Sequence, residues 1–332
     1  MRVERFSLPL AAPFDTAKGR IDAREGALVR VEGPPGVGET TPLPGWTEGV
    51  EEALAALDAA NAATPLAVLG ETPAARHGLA TARLDAAARA RGASLAAHLA
   101  DGAPAERVPV NATVGDGSPE ETVRRARDAV AAGFDCLKLK VGARPVAADA
   151  ERLRAVRAAA PEATLRVDAN GAWDEAEASE ALEAFAQFDL ACVEQPLPAG
   201  DLAGHRRLRG RTDVPVALDE SLAEHDLAAV LDGEAADRLV LKPMALGGPD
   251  RTVAAAERAR EAGLGVVVTT TVDAVVARTA AVHAAAAIPN VPACGLATGS
   301  MLAEDLYPDP APVEDGAIRV PDGPGLAGAA FE

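Results

Sequence analysis

Short apolar runs alternate with Ala-rich amphipathic stretches along most of this chain. Between positions 106 and 310 the runs are Val108–Val114, Cys136–Val141, Thr164–Val167, Ala191–Val193, Pro215–Leu218, Arg238–Leu241, Gly265–Thr269 and Cys294–Ala297. That gives eight strands, with a helix-like segment in each of the seven gaps. Strands alternating with helices at this spacing predict a parallel sheet, and eight of them predict a closed, TIM-like (β/α)7β barrel of the α/β class. An open doubly wound sheet is the competing arrangement. No Gly-x-Gly-x-x-Gly follows the first strand, which counts against it.

Before position 106 the pattern changes. Ala27-Leu-Val-Arg-Val-Glu32 alternates as a strand does, and Pro- and Gly-rich loops run from Gly33 to Trp46. Ala-rich helical stretches follow around Val50–Ala60 and Ala74–Leu99. Strands followed by helices predict an α+β domain over 1–105, with the catalytic barrel over 106–310. The Pro- and Gly-rich tail, 311–332, is expected to pack back on the first domain and complete it. A length of 332 residues suits one barrel plus a smaller domain.

Composition narrows the function. Aromatic residues are 3% of the chain, so Ala, Val and Leu must do the packing and platforms for base stacking are scarce. The net charge of −18 would repel phosphate backbones and anionic lipid, so neither nucleic acid nor a membrane is an expected partner. No stretch is long and apolar enough to span a bilayer, and Met1 to Leu10 lacks the apolar run of a secretory signal. The three cysteines, Cys136, Cys192 and Cys294, are odd in number and far apart, which predicts free buried thiols in a reducing compartment. A cytoplasmic enzyme with a small-molecule substrate, alone or as a homo-oligomer, is the resulting expectation.

Lysine is rare: of 32 basic residues only Lys18, Lys138, Lys140 and Lys242 are lysines. A chain that prefers arginine keeps lysine where arginine cannot serve, as in losing a proton near neutral pH. Three of the four fall at strand ends, where a parallel barrel places its catalytic groups. The ends read Lys138-Leu-Lys140, Arg166-Val-Asp168, Val193-Glu194, Leu218-Asp219 and Leu241-Lys242. From Lys140 the successive spacings are 28, 26, 25 and 23 residues, about one βα unit each. Alternation turns Lys138 and Lys140 to the barrel mouth and Leu137 and Leu139 to the helix layer.

Asp168, Glu194 and Asp219 are then expected to converge from three adjacent strands. Three carboxylates cannot crowd together without a cation, and an all-oxygen set suits a hard ion, Mg2+ above all. Lys140 and Lys242 would flank it, one of them a general base. A single acid at a strand end usually caps the next helix; five residues in phase are a different matter. Cys136 and Cys192 share the inward phase and read as small fillers. The five histidines lie away from the rim. The loops Gly38–Trp46 and Phe14–Arg24 read either as surface or as lids over the barrel mouth.

Together Lys138-x-Lys140, Asp168-Ala-Asn170-Gly-Ala-Trp173, Glu194-Gln-Pro196, Asp219-Glu-Ser221 and Lys242-Pro243 resemble the muconate-lactonizing subgroup of the enolase superfamily. The resemblance implies an N-terminal capping domain over the barrel, with Mg2+ on Asp168, Glu194 and Asp219. It implies that Lys140 abstracts a proton beside a substrate carboxylate, that Lys242 faces it and that Lys138 tunes the field, the product being an enediolate. Thr16-Ala-Lys-Gly-Arg-Ile-Asp-Ala-Arg24-Glu-Gly26 and Gly38-Glu-Thr-Thr-Pro-Leu-Pro-Gly45-Trp46 look like the capping loops of o-succinylbenzoate synthases, dehydrating lyases of menaquinone biosynthesis. N-succinylamino-acid racemases share that framework, and muconate cycloisomerases also compete. Dipeptide epimerases carry an Asp-x-Asp at the eighth strand, where this chain has Cys294-Gly-Leu-Ala-Thr-Gly-Ser-Met301.

Overall fold

The structure, a computed structural model, describes residues 1–16 and 19–332. Lys18 and its neighbour in the candidate loop Phe14–Arg24 lie outside the described residues. Three antiparallel strands come first, β1 (Arg2–Thr16), β2 (Gly19–Val31) and β3 (Gly36–Thr40), in the order β1-β2-β3. Helices α1 (Val50–Asp58), α2 (Pro73–Ala90) and α3 (Leu95–Leu99) follow. Apolar residues of α1 and α2, among them Leu57 and Leu79, bury Val29 and Val31 of β2. Two glycines of β3 let α2 come this close: a Cβ on Gly36 would strike the Ala82 carbonyl, and one on Gly38 the Gly78 carbonyl. The single helical stretch expected over Ala74–Leu99 is two helices. The chain turns between them at Gly92, whose φ of 62° suits glycine best.

The βα alternation then begins. In chain order the elements are β4 (Arg107–Pro109), β5 (Ala112–Val114), α4 (Pro119–Ala131), β6 (Cys136–Lys140), α5 (Val146–Ala159), β7 (Thr164–Asp168) and α6 (Glu175–Phe185). Next come β8 (Leu190–Glu194), α7 (Leu202–Arg209), β9 (Val216–Leu218), α8 (Ser221–Glu224), α9 (Leu227–Asp232) and β10 (Arg238–Leu241). They are followed by α10 (Pro243–Leu246), α11 (Pro249–Glu261), β11 (Gly265–Val268), α12 (Val275–Ala287), β12 (Val313–Glu314) and β13 (Ala317–Arg319).

Strands β5 to β11 form one parallel sheet in sequence order. The expected eighth strand is present only as two parallel bridges, Cys294 with Val110 and Gly295 with Thr269. They join the two edges of the sheet and close the barrel. The expected first strand, Val108–Val114, is split. Val110 N donates to Gly316 O and Asn111 N to Cys294 O, so the backbone changes partner there. β4 pairs instead with β13 in a small antiparallel sheet, β12-β13-β4.

Alternation along the strands does the sorting. Leu137, Leu139, Leu165, Val167, Val193, Leu218, Leu239, Leu241, Val266 and Val268 face the helices and lie in one buried cluster. Each such side chain contributes roughly 1.5–3 kcal/mol on leaving water. α12 is buried along its whole length, because it lies between the barrel and the N-terminal elements. The 311–332 segment meets both parts: Leu95 N donates to Gly325 O at 2.7 Å and Arg30 Nη1 to Phe331 O at 3.1 Å on one side, and Val320 N donates to Glu106 O at 2.9 Å on the other.

Candidate active site

All six rim residues read from the sequence stand at one end of the barrel. Lys138 and Lys140 end β6, Asp168 ends β7 and Glu194 ends β8; Asp219 follows β9 and Lys242 follows β10. Register pairs Lys140 with Asp168, and Asp168 with Glu194. Lys138 Nζ reaches Glu194 Oε1 at 2.6 Å and Asp168 Oδ2 at 2.9 Å. Lys140 Nζ donates to Asp168 Oδ2 at 2.7 Å and Asn170 Oδ1 at 2.8 Å. Lys242 Nζ holds Asp219 at 2.6 and 2.5 Å. The three acids are buried, while Lys140 is the most exposed of the three lysines, at 36% of its side chain. A lysine therefore stands on each flank of a row of three carboxylates.

Neighbouring loops fix these groups. Gln195 lies just beyond β8 with a φ of 40°. Its Oε1 accepts from Asp219 N at 3.0 Å and Ser221 N at 3.2 Å, and its Nε2 donates to Ser221 Oγ at 2.9 Å. The residue after Glu194 thus holds the backbone of Asp219, which explains why Glu-Gln and Asp-Glu-Ser occur together. Under β6, the buried Arg152 donates to Lys140 O at 2.9 Å and pairs with Asp149 at 2.7 Å, and Asp149 accepts from Gly142 N. Asn170, left-handed at φ 47°, donates onward to Glu220 Oε1 at 2.9 Å. Spacing alone did not reveal the roles of Gln195, Arg152 and Asn170; the nearest sequence signal is that each lies close to a rim residue or packs beneath one.

Electrostatics follow from burial and from the unequal sharing of cations. Burial alone would lower the Lys138 ammonium, but Asp168, Glu194 and Asp219 outweigh it and hold the group above its usual range. Burial would raise Asp168, but Lys138 and Lys140 together hold it well below the usual carboxylate range. Glu194 shares one lysine with Asp168. Burial, then the charge of Asp168, push it up to about 7. Burial also raises Asp219, to about 6, against the pull of Lys242.

Among the described residues no three His, Cys, Asp or Glu side chains close round a common point. Lysine ammonium groups neutralise the acids instead. The donor chemistry nonetheless fits a hard divalent ion: three carboxylates on adjacent strands, buried and mutually repelling, with no nitrogen or sulfur ligand among them.

The N-terminal part reaches the rim. The Trp46 ring lies over Lys242, with Nζ 3.1 Å from its centroid, so the Gly38–Trp46 loop covers the mouth. Glu39, fully buried at the base of that loop, accepts from Ala274 N at 2.9 Å and Ala277 N at 2.8 Å, capping α12. Arg24 donates to Thr41 O at 2.8 Å and to Val272 O at 3.2 Å. Val272 has a φ of 61°, a strained geometry for a β-branched residue, and Arg24 holds it there. The histidines lie away from the rim, on helices or, for His225, just after α8. Cys136, Cys192 and Cys294 are buried and free.

The family described as enolase C-terminal domain-like matches residues 121–329. An o-succinylbenzoate synthase from Thermobifida fusca is 43% identical over 191 residues, covering 56% of this chain and 58% of that protein. The match thus spans less than two thirds of the relative. Among solved structures, the substrate-liganded L-Ala-D/L-Glu epimerase from Bacillus subtilis superposes with a TM-score of 0.87 at 27% identity, covering 98% of this chain and 97% of that one. The dipeptide epimerase from Enterococcus faecalis, complexed with Mg and L-Leu-L-Tyr, gives 0.87 at 25% identity, covering 98% of each.

Proposed function

The chain belongs to the enolase C-terminal domain-like family, and on that footing we propose that it is an o-succinylbenzoate synthase. It would be a lyase that removes water from 2-succinyl-6-hydroxy-2,4-cyclohexadiene-1-carboxylate on the way to menaquinone. The observation that carries this reading is the placement of Lys140 and Lys242 on opposite flanks of the carboxylate row formed by Asp168, Glu194 and Asp219. That arrangement suits proton removal beside a carboxylate. Identity to the Thermobifida fusca enzyme chooses the dehydration.

Asp168, Glu194 and Asp219 would hold Mg2+, which when bound supplies positive charge where negative charge builds on the substrate carboxylate. Lys140, as free amine, takes the α-proton, and the C–H electrons pass into the carboxylate to give an enediolate. Those electrons return to form the ring double bond as the β-hydroxyl leaves. Lys140 hands its proton to that oxygen, and the product is one water and an aromatic ring. Lys242 keeps its ammonium facing the developing charge, and Lys138 holds Glu194 and Asp168 in place. Residues 1–105 with 311–332 act as the cap, and Trp46 shields the mouth from water. In this reading the enzyme is cytoplasmic, its partner a small carboxylate.

Racemisation of N-succinylamino acids is the second reading, favoured by the close superposition on epimerases. Against dipeptide substrates, the eighth-strand region 294–303 carries no carboxylate for an amino group. One experiment separates these readings. The Mg-loaded enzyme is given the cyclohexadiene and, separately, N-succinylamino acids in D2O. Aromatic product from the first is expected. Deuterium exchange on the second without any aromatic product from the first overturns the synthase. Lys140→Ala should cost roughly 10²–10⁴-fold or more in turnover with unchanged circular dichroism; near-full activity would refute Lys140 as the base.

A further inference from the structure

Glu220 follows Asp219 at the rim, and the chemistry described so far leaves its side chain without a task. It stands at the N-cap of α8, yet its carboxylate accepts no hydrogen bond from that helix. The rim lysines pair with Asp168, Glu194 and Asp219 and not with it. Among the described residues its one side-chain hydrogen bond comes from Asn170 Nδ2, which donates to Oε1 at 2.9 Å. Oε2 is buried with no partner. An acid that neither caps its helix nor neutralises a cation has its role in the contact it does make.

Asn170 carries two opposite groups on one amide. Its Oδ1 accepts from Lys140 Nζ at 2.8 Å while its Nδ2 faces Glu220. An ammonium only donates and an ionised carboxylate only accepts, so one orientation of the amide satisfies both. The flipped orientation sets N–H against N–H and oxygen against oxygen. The backbone here is pinned, because Asn170 N donates to Asp168 Oδ1 at 3.0 Å and Gly171 N to Gln195 O at 2.7 Å. The Asn170 side chain is exposed, so packing does not choose the orientation of its amide. Lys140 chooses it only while it is an ammonium. A free amine accepts as well as donates and no longer sorts the two ends of the amide, whereas Glu220 still does.

We propose that Glu220 is a positioning residue for Lys140: by holding Asn170 Nδ2 it keeps Oδ1 turned to the amine and so aims the lone pair. Lys140 Nζ also donates to Asp168 Oδ2 at 2.7 Å. With Cε fixed and two N–H groups committed, the fourth tetrahedral position is the one left for the lone pair. It faces away from both acceptors, and a C–H bond has to approach from there. Glu220 touches no reacting atom in this account, which rests on Lys140 as the base in the reading above.

Turnover of the Mg-loaded full chain is compared across Glu220→Ala, Glu220→Gln, Asn170→Ala and the double variant Asn170→Ala with Glu220→Ala. Glu220→Ala should lower kcat roughly 10–100-fold and change KM less than about threefold, the mark of a misaimed base rather than of weaker binding. Glu220→Gln, whose Oε1 still accepts from Asn170, should recover most of that loss. In the double variant Glu220→Ala should cost nothing beyond Asn170→Ala. Additive losses, or a Gln variant as poor as the Ala variant, overturn the proposal. Mg2+ affinity, read by calorimetry, should survive in Glu220→Ala; a loss of roughly 10-fold or more would mean that Glu220 serves Asp219 instead, and overturns it too. A wild type that exchanges deuterium on N-succinylamino acids and gives no aromatic product fails the dehydration alone, and the same comparison then runs on exchange. Crystals of Glu220→Ala read the geometry without turnover: Asn170 Oδ1 should turn away from Lys140 Nζ, and a contact unmoved from 2.8 Å refutes the role.

Discussion

Glu39 carries a carboxylate into the boundary between the N-terminal sheet and the barrel, fully out of water. Burial, reinforced by Asp273, pushes it up to about 7 from an ordinary value of 4.5, against hydrogen bonds from Thr41 and Ala277 N. The folded protein therefore binds more protons than the unfolded chain between these two values. Stability contributed by Glu39 is full below about pH 4.5 and is lost as the pH rises through about 7. Over that window wild type should lose about 3 kcal/mol more than Glu39→Gln, measured by urea unfolding at stepped pH. Parallel curves for the two proteins would mean that the α12 amides hold the charge comfortably. Trp46 makes a related point about single residues. The sequence left its loop undecided between surface and lid, because the partner, Lys242, lies almost two hundred positions away and no local pattern encodes such a contact.

Elements were legible where local chemistry repeats. Helix α6 follows the rim loop of β7 and opens with a capping box: Asp174 Oδ1 accepts from Ala176 N at 2.9 Å and Glu177 N at 2.8 Å, and Glu177 Oε2 accepts from Asp174 N at 3.0 Å. Asp174→Ala should cost about 1 kcal/mol in chemical denaturation and leave the rim geometry alone. A loss under a few tenths would mean that solvent replaces the cap. Strands β6 to β10 could be read because each ends in a charged residue one βα unit from the last. Two features escaped. The Val108–Val114 run carries Pro109, which marks where β4 ends, but the division itself is made by Gly316 and Cys294, far along the chain, which each claim one amide. The buried roles of Gln195 and Arg166 likewise depend on groups distant in sequence, Asp219 N and Ser221 for the one and Ala293 O for the other. Period and phase fix which face a residue takes; they do not say what waits on the other side.

At the scale of the whole molecule, the chain carries a net charge of −18 while Lys138, Lys140 and Lys242 gather at one rim. The cylinder beneath that rim is unevenly sewn. Six of its strand pairings, from β5 to β11, run in continuous order, but between β11 and β5 the join is made by Gly295 N to Val268 O at 2.9 Å, Asn111 N to Cys294 O at 3.0 Å and Cys294 N to Pro109 O at 2.8 Å, with Arg166 reaching Ala293 from inside. So few stitches cost little to undo. In heavy water the amides of Asn111, Cys294 and Gly295 should trade their protons well before those of Leu139 and Val167, as mass spectrometry of digested peptides would register. Equal protection would show a uniform cylinder. A barrel that breathes along one seam keeps its acidic row, on the far side, still while it does so.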